Sequence, residues 1–122
     1  MDDIAQLGRD GERTAERFLR RLRFRTVVRN YLCPAGEIDL VMLDRDVIVF
    51  VEVKTRSSRE HADPQDAVNP VKQRQIARAA RYFLQQTRSL DRTWRFDVIA
   101  ISLSPEGRMQ IEHFPEAFAP TS

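Results

Sequence analysis

The sequence predicts one α+β domain with the element order αβββαββ. Three observations carry that expectation: two amphipathic helical stretches, five runs with strand character, and turn residues between them. At 122 residues the chain is long enough to bury a single core without disulfide or metal support. A single domain over residues 1–122 is expected.

Residues 4 to about 23 open the chain as a helix, with Ile4, Gly8, Gly11, Ala15, Phe18, Leu19 and Leu22 on one side. Gly8, Gly11 and Ala15 are small enough to let it approach a sheet closely. Glu12 sits at the edge of this stripe, where an ordinary boundary acid is the simplest reading. Arg9, Arg13, Arg17 and Arg20 form an outer row diluted by Asp10, Glu12 and Glu16.

Arg25 to Leu32 alternates weakly and gives a first strand, and Cys33-Pro34-Ala35-Gly36 supplies a turn. Gly36 to Leu43 and Val47 to Thr55 then form a hairpin closed by a two- or four-residue loop around Arg45-Asp46. Residues 56 to 68 are polar, without periodicity, and read as a long exposed loop bordering the site. Asn69-Pro70 marks the start of a second helix running to about Thr87. Trp94 to Ser102 and Met109 to Phe114 complete the strands, separated by the turn Pro105-Glu106-Gly107.

Chemistry concentrates in the hairpin. The run Val47 to Val51 is apolar and expects burial, yet Glu52-Val53-Lys54 follows it directly. Burying an uncompensated charge costs several kcal/mol or drives the group neutral. With a two- or four-residue loop, opposite positions have numbers that sum to 91, so Asp39 faces Glu52 and Glu37 faces Lys54. Alternation places Glu37, Asp39, Val41 and Leu43 with Ile48, Phe50, Glu52 and Lys54 on one face. Ile38, Leu40, Met42, Val49, Val51 and Val53 make the other face wholly apolar.

Opposite residues lie about 4.5–5.5 Å apart at Cα, so two carboxylates there repel unless a cation sits between them. Asp39, Glu52, the Val53 backbone carbonyl and waters make an all-oxygen set suited to Mg²⁺ or Mn²⁺. One cysteine and two histidines assemble no zinc cluster. The competing reading is a surface ion pair between Glu52 and Lys54, worth about 0–1 kcal/mol.

Composition admits two readings, a nucleic-acid partner or an arginine excess set by genome composition. The formal net charge is only +2, but the pI is near 9.1, and of 20 basic residues only Lys54 and Lys72 are lysines. Arginine matches phosphate bidentately, whereas lysine is a point charge whose pKa shifts on burial. On the second helix Ile76, Ala79, Ala80 and Phe83 form the buried stripe, with Lys72 and Gln73 on the same side at its start. Arg74, Arg78, Arg81, Gln85 and Arg88 form the outer stripe, either a solvated face or a grip on a phosphate backbone. Arg95 and Asp97 share a strand face and read as a structural ion pair. His61 and His113 are isolated and read as surface or packing residues. Cys33 has no partner for an internal disulfide, and no signal-like or transmembrane segment is present, so a cytoplasmic protein with no membrane partner is expected.

The helix, three strands with Asp on the second and Glu-x-Lys on the third, then a helix, resembles the PD-(D/E)xK nuclease superfamily. Gly8-Arg9-Asp10-Gly11-Glu12, Gly36-Glu37-Ile38-Asp39-Leu40, Phe50 to Arg56, Lys72-Gln73 and Arg95-Phe96-Asp97-Val98 are more closely similar to the YraN family of bacterial, Holliday-junction-resolvase-like proteins. The resemblance implies a restriction-endonuclease-like core, a mixed central sheet flanked by helices. It implies metal-binding acids at Asp39 and Glu52, a water-orienting lysine at Lys54, and an acid contributed by the first helix at Glu12.

Lys72 and Gln73 match the helix start that leans polar groups into related sites, and Glu37 belongs to the motif. Arg56, Arg74, Arg78 and Arg81 are candidate nucleic-acid contacts. Ile38 stands where the superfamily's name has proline, and Leu22 to Arg25 lacks the glycine many relatives carry after the first helix. The expected activity is Mg²⁺- or Mn²⁺-dependent cleavage of DNA, with branched DNA and a homodimer implied by the resolvase likeness. Two alternatives stay open: a binding module that keeps the fold without useful activity, and an adaptor with a vestigial acid cluster.

Overall fold

The computed structural model describes residues 3–57 and 68–119, with side chains described for 10–56 and 68–119. Helix α1 (Asp3–Arg21) leads into strands β1 (Arg25–Cys33), β2 (Gly36–Asp44) and β3 (Val47–Ser57), then helix α2 (Pro70–Gln86), β4 (Trp94–Leu103) and β5 (Met109–Phe118). The expected αβββαββ order holds. The strands lie side by side in chain order, with β3 and β4 parallel and the other neighbours antiparallel. This mixed sheet with two helices is the restriction-endonuclease-like α+β core. A parallel pair needs a crossover, and α2 lies in it.

Each helix covers one face. Alternation along β3 sends Val49 and Val51 toward α1, where they pack with Ala15, Leu19, Ile99 and Ile101. Ile48 and Phe50 point the other way, against Ile76, Ala80 and Phe83 of α2. Phe50 is the hub of that face, its ring centroid 5.8 Å from both Phe83 and Phe96 and 6.1 Å from Trp94. Gly11 is required by close approach: a Cβ there would lie 2.6 Å from Thr55 Cγ2.

The first two hairpins close on two residues, since Cys33 pairs with Gly36 and Asp44 with Val47, whereas β4 and β5 are joined through residues 104–108. Arg45 takes φ 58° in the second turn. At the N-terminus of α2, Asn69 Oδ1 accepts the Lys72 N–H at 2.9 Å and Pro70 occupies the first turn.

Several expectations are corrected. Leu22 is 50 % exposed, because α1 stops at Arg21 and the chain turns away through Arg23 at φ 73°. Strand β3 runs on to Ser57, and β5 continues to Phe118 rather than ending at Phe114. The sum-91 register holds from Asp44↔Val47 to Leu40↔Val51, where the ladder ends. Ile38 does not join the α1 face; it packs in the α2-side core with Val41 and Phe50. The parity breaks at Asn30, at φ 50°, whose neighbours Arg29 and Tyr31 pair with Leu40 and Ile38 across the strands. The surroundings of Ile4, Gly8 and Arg9, the expected loop over 58–67 and His61 lie outside the described residues.

Candidate functional site

The strands β2 and β3 part after Leu40↔Val51, and the motif acids sit in the fork. Asp39 Oδ2 accepts the Val53 N–H at 2.8 Å, so the carboxylate binds the backbone of the neighbouring strand beyond the end of the ladder. Glu52 projects toward α2, where Lys72 Nζ lies 3.9 Å from its Oε1. The N-cap fixes Lys72 in the first turn, so Asn69 indirectly places this cation.

Burial and mutual repulsion set the electrostatics. Desolvation pushes Asp39 up to about 6, with Glu12 and Glu37 adding to the rise against the Val53 hydrogen bond and Lys72. Glu52 is pushed up to about 8, first by desolvation and then by the Asp39 carboxylate beside it, against the pull of Lys72 and Lys54. A pair of partly buried acids held this way favours a shared proton or an added cation.

Glu12 joins the site as the α1 acid. It accepts from Asn30 Nδ2 at 3.0 Å, and the same amide reaches Glu37 Oε1 at 3.1 Å. Asn30 thus holds two motif acids near Asp39, a role that strand periodicity did not single out. The usable signal is an asparagine inside a strand run, since Asn tolerates the left-handed conformation better than its neighbours. A cleft of about 220 Å³ lies here between Glu12, Arg13, Glu16, Arg29 and Asp39.

Glu16, read from sequence as a diluting surface acid, is only 7 % exposed. Burial would raise its pKa, but Arg29 and Thr26 hold it below the usual range: Arg29 Nε donates at 2.9 Å and Thr26 Oγ1 at 2.6 Å. Its spacing of four from Glu12 is the signal that both acids face the sheet.

The remaining candidates spread out. Lys54 is exposed, and its charge reaches Glu52 only as a weaker pull than that of Lys72. Gln73 Nε2 donates to the Val68 carbonyl at 2.8 Å, tying down the entry to α2. Arg56 is half-buried at the end of the described part of β3. Arg74, Arg78 and Arg81 are exposed on the outer side of α2, on the sheet face opposite α1.

Arg95 and Asp97 do pair, Nε to Oδ1 at 2.9 Å, and His113 Nε2 approaches Asp97 Oδ2 at 2.7 Å. Asp97 also accepts the Glu116 N–H at 3.1 Å, holding β5 where its ladder to β4 slips past Asp97. Burial alone would raise this carboxyl; hydrogen bonds from His113, Arg95 and Glu116 hold it below its ordinary value. His113, expected to be isolated, is instead a partner of Asp97 that also packs edge-on to Phe18 and Phe24.

The donor set is compatible with a divalent cation. Among the described residues no group of three or more His, Cys, Asp or Glu side chains that could hold a metal ion gathers; Asp39 and Glu52 are the neighbouring carboxylates that would offer oxygen donors. Mg²⁺ is commonly bound through one or two carboxylates with several retained waters, so two suffice.

A mixed five-stranded sheet with two helices, and two acids in the fork of its second and third strands, is an α+β fold consistent with a restriction-endonuclease-like core. The chain is a member of the YraN family, described as "Uncharacterised protein family UPF0102", whose pattern matches residues 11–101. It is 51 % identical over 113 residues to a UPF0102 protein of Geobacter metallireducens, covering 92 % of this chain and 91 % of that one. It is 47 % identical over 112 residues to a counterpart in Geobacter sulfurreducens, covering 92 % and 88 %. A Geotalea daltonii protein is 45 % identical over 117 residues, covering 96 % and 92 %. No described helix is long and apolar enough to cross a membrane.

Proposed function

We propose that this protein binds nucleic acid and hydrolyses phosphodiester bonds in DNA with Mg²⁺ or Mn²⁺ held by Asp39, Glu52 and the Val53 carbonyl. The observation that carries the reading is the partly buried Asp39–Glu52 pair, both raised in pKa, with the Lys72 ammonium 3.9 Å from Glu52. Two acids forced together at a strand fork are costly unless they share a proton or hold a cation. When bound, the metal supplies Lewis-acid polarisation of the phosphate and a lowered pKa for water.

The chain's own residues do the rest. The Val53 N–H fixes the orientation of Asp39, and Asn30 holds Glu12 beside it. Lys54 and Lys72 flank Glu52 and supply positive charge for orienting water and balancing charge that builds on the phosphate. Arg56, Arg74, Arg78 and Arg81 contact backbone phosphates, which positions DNA without reading its sequence. Branched DNA as the preferred substrate and a homodimer that offers two sites complete the proposal, with a cytoplasmic location.

One observation favours the alternative of a binding module without useful activity: Lys54 is exposed rather than buried against the acids. Cleavage of branched, duplex and single-stranded DNA in Mg²⁺ or Mn²⁺ separates the two. The nuclease reading expects Glu52→Gln and Lys54→Ala to abolish or sharply reduce cutting while DNA binding survives. Salt-sensitive DNA binding by wild type with no cutting of any substrate selects the module instead.

A further inference from the structure

The Asp39 cleft continues along α1. Arg29, which lines it, also lines a second, open cleft of about 570 Å³ built by the end of α1 and the start of β1. Arg20, Arg23 and Arg25 surround this second cleft, with Phe24 and Thr26 in its wall. No acidic residue lines it. Glu16, at the junction, is already engaged by Arg29 and Thr26.

Arg20, Arg23 and Arg25 are exposed, so their guanidinium groups stay hydrated and available. Like charges crowded around one concavity repel, and an anion at its centre removes that repulsion. Guanidinium groups match phosphate oxygens bidentately, and the cleft has the sign and openness that a phosphate chain needs. Its reach is also suitable. From Glu12 to Arg20 along α1 is about 12 Å at the helical rise, which corresponds to roughly three or four phosphates along one strand.

We infer that the cleft formed by Arg20, Arg23, Arg25 and Arg29 is a docking track for the phosphate backbone of DNA that flanks the Asp39–Glu52 site. The track lies on the α1 side of the sheet, so it is a separate surface from the α2 stripe of Arg74, Arg78 and Arg81. The inference rests on the proposal that DNA is the substrate, but on its binding and not its cleavage.

The test is fluorescence anisotropy with labelled duplex and branched DNA in EDTA, across a series of NaCl concentrations. It compares wild type, a track variant (Arg20→Ala, Arg23→Gly, Arg25→Ala) and a stripe variant (Arg74→Ala, Arg78→Ala, Arg81→Ala). The track variant is expected to bind at least about ten-fold more weakly, and its slope of log K against log salt to fall by about 2–3, because each lost phosphate contact removes about 0.7–0.9.

Arg23→Gly alone guards against a folding artefact. Arg23 sits at φ 73°, a conformation glycine adopts without steric cost, so this variant should melt a few degrees higher while binding DNA less tightly. A track variant with wild-type affinity and slope, or a loss confined to the stripe variant, overturns the inference. If the track variant loses binding while no protein cuts DNA, the track stands and the catalytic reading falls. If wild type binds no DNA even at low salt, both fall.

Discussion

At the scale of single residues, Asp39 and Glu52 make stability depend on pH in an unusual direction. Their folded pKa values, about 6 and about 8, lie above the model-peptide values of 3.8 and 4.5. The folded state therefore holds protons more tightly than the unfolded chain, and this contribution to stability is fully present only below pH 4. It is lost as pH rises through the folded values. In EDTA, thermal melts should show falling Tm between about pH 5 and pH 8, and Asp39→Asn should flatten that dependence. Added Mn²⁺ should restore stability at pH 8 and release protons on binding.

Asp97 works with the opposite sign. Its folded pKa is lowered, so its contribution is present above pH 4 and is lost as pH falls through the folded value. Asp97→Ala leaves Arg95 and His113 without their shared acceptor and frees the Glu116 amide, and should cost about 3–5 kcal/mol by urea denaturation. The Arg95–Asp97 pair was legible from strand parity alone. Glu16, also a buried acid, reads in the sequence as a surface residue of α1, because its partners Thr26 and Arg29 come from strand β1 and local spacing cannot show them.

At the scale of elements, α1 owes its position to Gly11 and α2 owes its first turn to Asn69. Gly11→Val places branched carbon atoms where Thr55 already stands and should cost about 1–3 kcal/mol in chemical denaturation. Asn69→Ala removes the acceptor for the Lys72 amide and should cost about 1 kcal/mol, measured the same way. The N-cap, the α2 core stripe and the register of the second hairpin all follow from local chemistry and were readable in advance. The parity switch at Asn30 was not, because a single left-handed residue in a strand is decided by what its side chain meets. There it meets Glu12 from a helix eighteen positions earlier and Glu37 from the next strand. The two acids expected to face each other across a regular ladder therefore converge at a fork, with Asp39 bonded to backbone.

At the scale of the whole molecule, the sheet divides the charges. The α1 side carries the Asp39 cleft and its arginine-lined continuation; the α2 side carries Lys72 beside Glu52 and the outer stripe from Arg74 to Arg88. The acids of the fork lie between two basic surfaces, an arrangement that suits a phosphate chain passing over the site. The element order and the positions of the motif acids were visible in the sequence because each depends on patterns of a few residues. Which basic surface flanks the site, and that Lys72 approaches Glu52 more closely than Lys54 does, depend on how helices pack and became visible only in three dimensions.

The central claim is that the Asp39–Glu52 pair supports metal-dependent cleavage of DNA. Its most direct test is the single-turnover cleavage rate of labelled branched DNA in Mn²⁺, measured for wild type and Asp39→Asn at equal occupancy. The expected result is cutting by wild type and a loss of at least about 10²-fold in the variant. Equal rates for the two proteins, or no cutting by wild type on any DNA structure, would contradict it.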